Sequence, residues 1–320
     1  MTYTHPKLTP DVTKHFLSLY QSAGDKEAKT YLAGALGVRK SQKNLWAGRI
    51  LASRDRAPIQ AVRGRKIKRL FWDIETSPNV VLSWRIGYKI NISHDNLLKE
   101  RAIICIGYKW EGDPVVHVIH WDKDQNDRSM LEAFLKVANE ADELIAHNGD
   151  SFDMPWFKTR CLFHGLQTIP DYKTVDTLQW ARRKFYFNSN KMDYIAKFLG
   201  MGGKIKTEFD LWKEIVLNSC PAAMKRMCDY CKKDVALLEQ VWKRLSAVVP
   251  QKTHVGVLTG SDKWTCPRDG SQNVCVTKTR VTAAGTVSYQ MQCNDCGSYY
   301  TISARAHADY QAFKKDQSKS

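Results

Sequence analysis

The sequence predicts an α/β protein: a mixed sheet flanked by helices in the middle of the chain, a helical module before it and a small cysteine-bearing module after it. Three observations lead there. Apolar residues recur at helical spacing over residues 10–53. Short β-branched and aromatic runs alternate with amphipathic stretches over 70–247, which is the signature of layered α/β architecture. Four of the nine cysteines crowd together after residue 262.

The chain of 320 residues is 43% hydrophobic and 26% charged. That is enough to bury one sizeable core and carry small accessory modules. No apolar run is long enough to span a bilayer, and the N-terminus MTYTHPKLTPDVTK has no signal core. The expectation is a soluble protein with no membrane partner, kept in the cytoplasm of a bacterium or of a phage-infected host. An odd cysteine count argues against a secreted disulfide framework. Lys+Arg total 49 against 33 Asp+Glu, a net charge of +16. So large a surplus favours a polyanion such as nucleic acid. A generic solubilising surface would show the same total, but not the clustering described next. No internal repeat is found.

The first block, 1–53, reads as helical. In DKEAKTYLAGALGVRKSQKNLWAGRIL the residues Ala28, Leu32, Leu36, Val38, Leu45 and Ile50 fall at roughly helical spacing. Gly37 stands where a tight inter-helix turn needs a left-handed residue. The segment resembles a helix-turn-helix with 41–51 as its recognition helix. Arg39, Lys40, Gln42, Lys43, Asn44 and Arg49 would then face outward; an ordinary helical hairpin with a solvated basic face predicts the same pattern. Residues 54–69 form a basic linker. Arg54, Arg56, Arg63, Arg65, Lys66, Lys68 and Arg69 stand against the single acid Asp55, and Pro58 and Gly64 interrupt any helix. Such a segment suits a phosphate backbone, with Arg63, Arg65, Lys66 and Lys68 as contacts beside Arg39, Lys40 and Lys43.

In the 70–247 block LFWDIET, AIICIGYKW, PVVHVIHW and ELIAH read as strands. SMLEAFLKVANEA, DMPWFKTRCLFHGL, KMDYIAKFLG and PAAMKRMCDYCKKDVALLEQVWKRL read as helices. Short strands return around the cysteines in 262–303, and the polar tail 304–320 is expected to fray.

Three groups of residues carry chemistry. Asp73 and Glu75 in LFWDIETSP are two apart on a strand and so project from one face. Like charges held side by side are unfavourable unless a cation joins them, and Mg²⁺ prefers such oxygen donors. In IAHNGDSFDMPWF a strand gives way through a Gly-containing turn to a helix opened by Asp153. Alone, Asp153 reads as an ordinary acid at a helix N-terminus. Tyr230 and Asp234 in CDYCKKDVALL lie one turn apart on a helix, where a phenol beside a carboxylate can orient water. Alone, they read as a half-buried tyrosine near a surface acid.

The three motifs in this order, D-x-E, N-x3-F-D and Y-x3-D, resemble those of the DEDD (DnaQ-like) exonuclease superfamily. The tyrosine marks its DEDDy branch, which includes the proofreading domains of DNA polymerases. The resemblance covers about residues 69–247. It extends to TVDTLQWARRKF and KMDYIAKFLG, which look like the elements between the second and third motifs of family-B-polymerase-like and YprB-like exonucleases. It implies a ribonuclease H-like fold, a mixed sheet flanked by helices. It also implies two Mg²⁺ or Mn²⁺ ions on Asp73, Glu75, Asp153 and Asp234, with Tyr230 positioning the attacking water. Asn148 and Phe152 match the motif's substrate-side and packing positions, and Thr76 would approach the terminal nucleotide. Asp176 is a further acid nearby, outside the ligand set. The implied activity is 3′→5′ hydrolysis of DNA by two-metal chemistry, releasing 5′-mononucleotides from single strands or 3′ ends. Replication or repair proteins are the implied company. Trimming of RNA 3′ ends uses the same chemistry and stays open. Recombinases and transposases combine similar modules but order their acids differently, and a non-catalytic DNA-binding protein would not need all four acids and the tyrosine.

Near the C-terminus Cys293 and Cys296 form C-x2-C followed by Gly, a zinc-knuckle turn. Upstream, Cys266-Pro-Arg-Asp269-Gly-Ser resembles a zinc-ribbon knuckle, with Asp269 where a second cysteine would stand. Cys275 lies six residues beyond Asp269. One structural Zn²⁺ is expected on Cys266, Cys293, Cys296 and either Asp269 or Cys275; a hairpin that has lost its metal reads the same way. Lys278 and Arg280 on the intervening strand suit DNA backbone contact. Cys228 and Cys231 also spell C-x2-C, but without a second pair they read as helix thiols near the core.

Overall fold

Residues 7–39, 42–54, 66–87, 89–169, 171–203 and 208–317 are described by a computed structural model. The chain forms two units, Met1–Val62 and Arg63–Ser320.

The first unit is helical. Helix α1 (Pro10–Ser22) starts from Thr9, whose hydroxyl accepts the Val12 N–H at 3.3 Å. This is a side-chain cap followed by a proline in the first turn, where no amide partner is lost. Helix α2 (Asp25–Leu36) ends on Gly37 at φ 68°, the left-handed residue the sequence called for. Helix α3 (Lys43–Arg54) follows; residue 41, where the recognition helix was expected to begin, lies outside the described residues. Phe16, Ala28, Leu32, Leu36, Trp46, Ala47 and Ile50 form the core of the unit. Leu45 does not join them and is 53% exposed. The inward stripe of α3 runs through Trp46, Ala47 and Ile50, which leaves Leu45 about a quarter-turn off the buried face. Arg39 is exposed and Lys43 half-buried. Lys40, Arg63 and Arg65 lie outside the described residues.

The second unit opens with β1 (Arg69–Thr76), β2 (Val80–Val81), β3 (Leu97–Lys99), β4 (Ile103–Trp110) and β5 (His117–His120). It continues through α4 (Arg128–Glu140), β6 (Glu143–Ala146), α5 (Asp153–Phe163), β7 (Thr174–Asp176), α6 (Thr177–Lys184), α7 (Met192–Phe198), α8 (Asp210–Val216) and the long α9 (Pro221–Ser246). The main sheet has the order β5-β4-β1-β6-β7. Strand β4 runs antiparallel to β1 and β5, whereas β6 and β7 run parallel to β1. This is the expected mixed sheet. One strand is shorter than the sequence suggested: PVVHVIHW pairs only over His117–His120, because Pro114 has no N–H to donate and Val115 is half exposed. Strand β7 and helix α8 were not foreseen.

Side chains of β1 alternate between two cores. Leu70, Trp72 and Ile74 pack with α4 and α5 through Phe134, Phe157 and their neighbours. On the opposite face Phe71 packs with α6, α7 and α9, and Ile104 and Cys105 of β4 pack with α8 and α9. Helix α9 lies close on β4. A Cβ at Gly107 would stand 2.7 Å from Cys231 Sγ and 3.0 Å from Val235 Cγ2. Only glycine admits this approach.

The chain then forms α10 (Val255–Leu258), β8 (Val274–Val281), β9 (Val287–Cys293), β10 (Tyr299–Ser303) and α11 (Ala304–Gln317). Strands β8, β9 and β10 make an antiparallel sheet with β9 central. The tail expected to fray is therefore largely helix α11. It is held because Ala306 and Tyr310 are buried, Trp264 packs on the rings of Tyr310 and Phe313 at 5.5 and 4.6 Å, and the Tyr310 hydroxyl donates to Val274 O at 3.0 Å. The aromatic pair at i, i+3 was the signal that overall polarity concealed.

Asp127 ties α5 to the sheet. It is fully buried, accepts from Arg160 Nε at 2.7 Å and Nη2 at 2.9 Å, meets His164 Nε2 at 2.6 Å and accepts the Ile103 N–H at 3.1 Å. Burial by itself would raise its pKa, but hydrogen bonds from Arg160, His164 and the Ile103 amide outweigh it and hold the carboxyl below its ordinary value.

Two outcomes are expected. Gly107→Val should destabilise the fold by roughly 1–3 kcal/mol through overpacking, read as a lower denaturation midpoint; an unchanged midpoint would mean α9 does not sit this close. Asp127→Asn should cost about 3–5 kcal/mol by stranding Arg160. Because the folded pKa is depressed, the Asp127 contribution is whole above about pH 4 and fades only as pH falls through the folded value. The wild-type advantage over Asp127→Asn should therefore shrink in strong acid, and a constant advantage would contradict this account.

Candidate active site

Strand alternation puts Phe71, Asp73 and Glu75 on the face of β1 that α9 covers. In the register with β4, Asp73 lies opposite Gly107 and Glu75 opposite Cys105, and the pairing shifts between Glu75 and Thr76. Such an irregularity turns the strand end where it stands. Gly107 thus permits helix contact directly across from Asp73. On α9, Tyr230 and Asp234 are one turn apart and face the strand. One carboxylate oxygen each from Asp73, Glu75 and Asp234 lies within 4.8 Å of the others. Asp234 is buried, and Asp73 and Glu75 are half-buried.

Asp153 approaches from the N-terminus of α5. It is 2% exposed, and its Oδ1 accepts the Ile74 N–H at 3.0 Å. Burial and then the charge of Asp73 push its pKa well above the ordinary carboxylate value. Asp153 lies outside the 4.8 Å group but within electrostatic reach of Asp73. Carboxylates crowded in this way oppose one another's ionisation, and a hard divalent cation relieves that cost. The donor set thus fits Mg²⁺ or Mn²⁺.

Tyr230 is half-buried. Burial first, then the charges of Asp234 and Glu75, raise its phenol pKa above the usual range, and its hydroxyl is hydrogen-bonded to Asp234. The phenol remains neutral at physiological pH and keeps a proton to donate. The Cys231 thiol, on the next residue, donates to Asp73 O at 3.7 Å. Cys228 and Cys231 pack against Cys105 in the core, as helix thiols should.

The turn from β6 to α5 is held from outside. Asn148 adopts a left-handed conformation, φ 74°. A Cβ at Gly149 would fall 2.4 Å from Ala146 Cβ, so this position must be glycine. Asp176 Oδ1 accepts the N–H groups of Asn148 and Leu178, each at 2.9 Å, and Oδ2 accepts that of Asp150 at 3.3 Å. Asp176 therefore caps α6 and clamps the turn. His147 is anchored at Thr177 Oγ1, 2.9 Å, and Asn190 O, 3.0 Å. His147, Asn148, Arg182 and Lys191 line a cavity of about 560 Å³ beside the turn. Phe152 packs against the core near Trp156, in keeping with a packing position. The Thr76 carbonyl accepts Trp212 Nε1–H at 3.1 Å, which ties the end of β1 to α8.

The roles of Gly107, Gly149, His147 and Trp212 were not anticipated. Only the NGD turn carried a local signal for Gly149; the others depend on partners far along the chain.

The remaining expected residues are more dispersed. Cys266, Asp269, Cys293 and Cys296 converge within 4.8 Å. Cys275 lies outside that group, with its Sγ 3.7 Å from Asn294 Oδ1. Lys66 and Lys68 are exposed, and Lys68 Nζ pairs with Glu140 at 2.9 Å. Lys278 and Arg280 are exposed on β8. Among the described residues no helix is long and apolar enough to cross a membrane.

A family-model match agrees with the architecture. Residues 90–246 match a family model described as the RNase H superfamily. The match begins after β1, so the strand bearing Asp73 and Glu75 is placed by the structure. The chain is 22% identical over 254 residues to a DNA polymerase of Thermococcus litoralis and 21% identical over 254 residues to one of Thermococcus aggregans, with 72% of this chain covered in each case. It spans only 14% and 13% of those two proteins. A solved family B DNA polymerase from Pyrobaculum calidifontis superposes with a TM-score of 0.44 and 15% identity, covering 57% of this chain and 25% of that one. The α/β core of this protein has an RNase H-like fold, and the chain is similar in sequence to part of the two Thermococcus DNA polymerases.

Proposed function

We propose that the protein is a metal-dependent 3′→5′ exonuclease acting on DNA and releasing 5′-mononucleotides. The observation that carries the reading is the convergence of Asp73, Glu75 and Asp234 within 4.8 Å, from a strand and a helix more than 150 residues apart, with Tyr230 hydrogen-bonded to the last of them.

Asp73, Glu75, Asp153 and Asp234 would hold two Mg²⁺ or Mn²⁺ ions. Bound there, such ions supply positive charge at the scissile phosphate and lower the pKa of water. The protein's own residues do the rest. Tyr230 keeps its proton and orients a water by hydrogen bonding. Asp234 receives the phenol and fixes its direction. Asp176 and Gly149 hold the turn that presents Asn148 to the substrate side with Phe152 packed behind it, and Thr76 stands at the end of β1 next to the acids. Arg182 and Lys191, in the cavity beside Asn148, suit a phosphate backbone. The net charge of +16 favours a polyanionic substrate. The helical first unit and the exposed Arg39, Lys66 and Lys68 supply further grip, in a setting of replication or repair.

The test uses 5′-labelled single-stranded DNA and RNA of the same sequence, with Mg²⁺, with Mn²⁺ and with EDTA. A descending ladder on DNA that requires metal is expected. Asp73→Ala should lower the rate by roughly 10³-fold or more, because the acids act as a unit. Tyr230→Phe should lower it by roughly 10²-fold with binding retained. A ladder on RNA alone would move the substrate to RNA, and tight DNA binding without cleavage in any lane would refute the enzyme. Removal of residues 1–60 should weaken DNA binding and flatten its salt dependence while slow cleavage persists. Complete loss of cleavage by the folded truncated protein would overturn that division of labour.

A further inference from the structure

The C-terminal module contains one turn built twice. Residues 266–271 read CPRDGS and residues 293–298 read CNDCGS. In the first, the Cys266 N–H donates to Ser271 O and the Gly270 N–H to Cys266 O, both at 2.9 Å. In the second, the Cys293 N–H donates to Ser298 O at 3.0 Å and the Gly297 N–H to Cys293 O at 2.9 Å. Both glycines are left-handed, φ 78° and 71°. This short structural repeat corrects the reading of a chain without repeats; six residues with three identities are below what sequence alone resolves. Aligned residue by residue, Asp269 stands at the position of Cys296.

The four side chains converge as ligands would. Cys266 Sγ lies 3.6 Å from Cys296 Sγ, and Cys293 Sγ lies 3.8 and 3.7 Å from the two oxygens of Asp269. A tetrahedral zinc with bonds of about 2.3 Å to sulfur sets its ligand atoms roughly 3.8 Å apart. A disulfide needs about 2.05 Å, so the cysteine pair is not bonded. The Arg268 N–H points at Cys266 Sγ, 3.4 Å, and the Ser271 N–H at Asp269 Oδ1, 2.9 Å, as amides do toward metal-bound anions. Cys266 and Cys293 are fully buried, and Asp269 is exposed at the rim.

We propose that Cys266, Asp269, Cys293 and Cys296 form a Cys3Asp zinc site assembled from two copies of one turn, with Asp269 replacing the thiolate that its counterpart supplies. Cys275, left open by the sequence as an alternative, is not a ligand. The site joins the loop before β8 to the turn between β9 and β10; it shares no residue with the carboxylate cluster and does not rest on the nuclease reading.

The test is metal analysis of the reduced full-length protein, followed by replacement with Co²⁺ and absorption spectroscopy. One zinc per chain is expected, with a thiolate-to-cobalt charge-transfer band in the cobalt form. Asp269→Cys should raise that band by about one third, from three to four cobalt–sulfur bonds. Asp269→Asn should lose zinc to a competing chelator at least ~10-fold more readily, and Cys275→Ala should leave band and retention unchanged. Circular dichroism of each variant separates ligand loss from misfolding, and Asp269→Cys and Cys275→Ala serve if Asp269→Asn does not fold. No zinc and no charge-transfer band in the wild type would overturn the site. A band lost in Cys275→Ala but kept in Asp269→Asn would overturn the ligand assignment.

Discussion

Helix α9 can reach the central sheet because β4 carries no side chain at Gly107. The place a Cβ would occupy is taken by Cys231 and Val235, and Gly107 is the residue paired with Asp73. That close contact sets the depth of the helix. The depth decides whether Tyr230 and Asp234 meet the carboxylates of β1 or remain a turn away. Close-packed interiors transmit such constraints because they hold few voids to absorb a shift. The aromatic packing of Phe71 on Trp242, with ring centroids 5.3 Å apart, holds the far end of α9 to the same strand.

The site this contact creates is electrostatically costly. Three carboxylates share a space less than 5 Å across, and a fourth is pushed toward its neutral form by burial and by Asp73. The fold tolerates the arrangement because its surroundings are over-determined. Asp127, Arg160 and His164 lock α5, which begins at Asp153. Asp176 gathers the amides of the turn leading into α5. These groups need not touch substrate to matter. They remove the freedom by which the acids could move apart, and a preorganised cluster of anions is what a divalent ion can use.

The C-terminal module solves a different problem with similar economy. Its sheet is small, so much of its order comes from the Trp264, Tyr310 and Phe313 cluster and from the paired turns. A small domain with a limited apolar core gains from an added cross-link. The two turns reach the same backbone pattern although one carries a carboxylate where the other carries a thiol. The turn is therefore set by its glycine and its amide bonds, and the ligand type can vary on top of it.

Much of this was legible along the chain. Alternation in LFWDIET placed Asp73 and Glu75 on one face, since strand geometry has a period of two wherever the strand goes. The spacing of Tyr230 and Asp234 likewise required one helix face. Gly37 ended α2 as expected because left-handed backbone is a local property. Other features were settled only by tertiary structure. Leu45 faces outward because the buried stripe of α3 runs through Trp46, and polar 304–317 is helical because Trp264, some forty residues earlier, supplies a surface for Tyr310. The choice of Asp269 over Cys275 rests on where the turn around Cys293 lies, and the need for Gly107 rests on a helix more than a hundred residues away. Periodicity and turn chemistry are short-range and can be read from neighbours in sequence; contact between distant segments depends on how the whole chain packs.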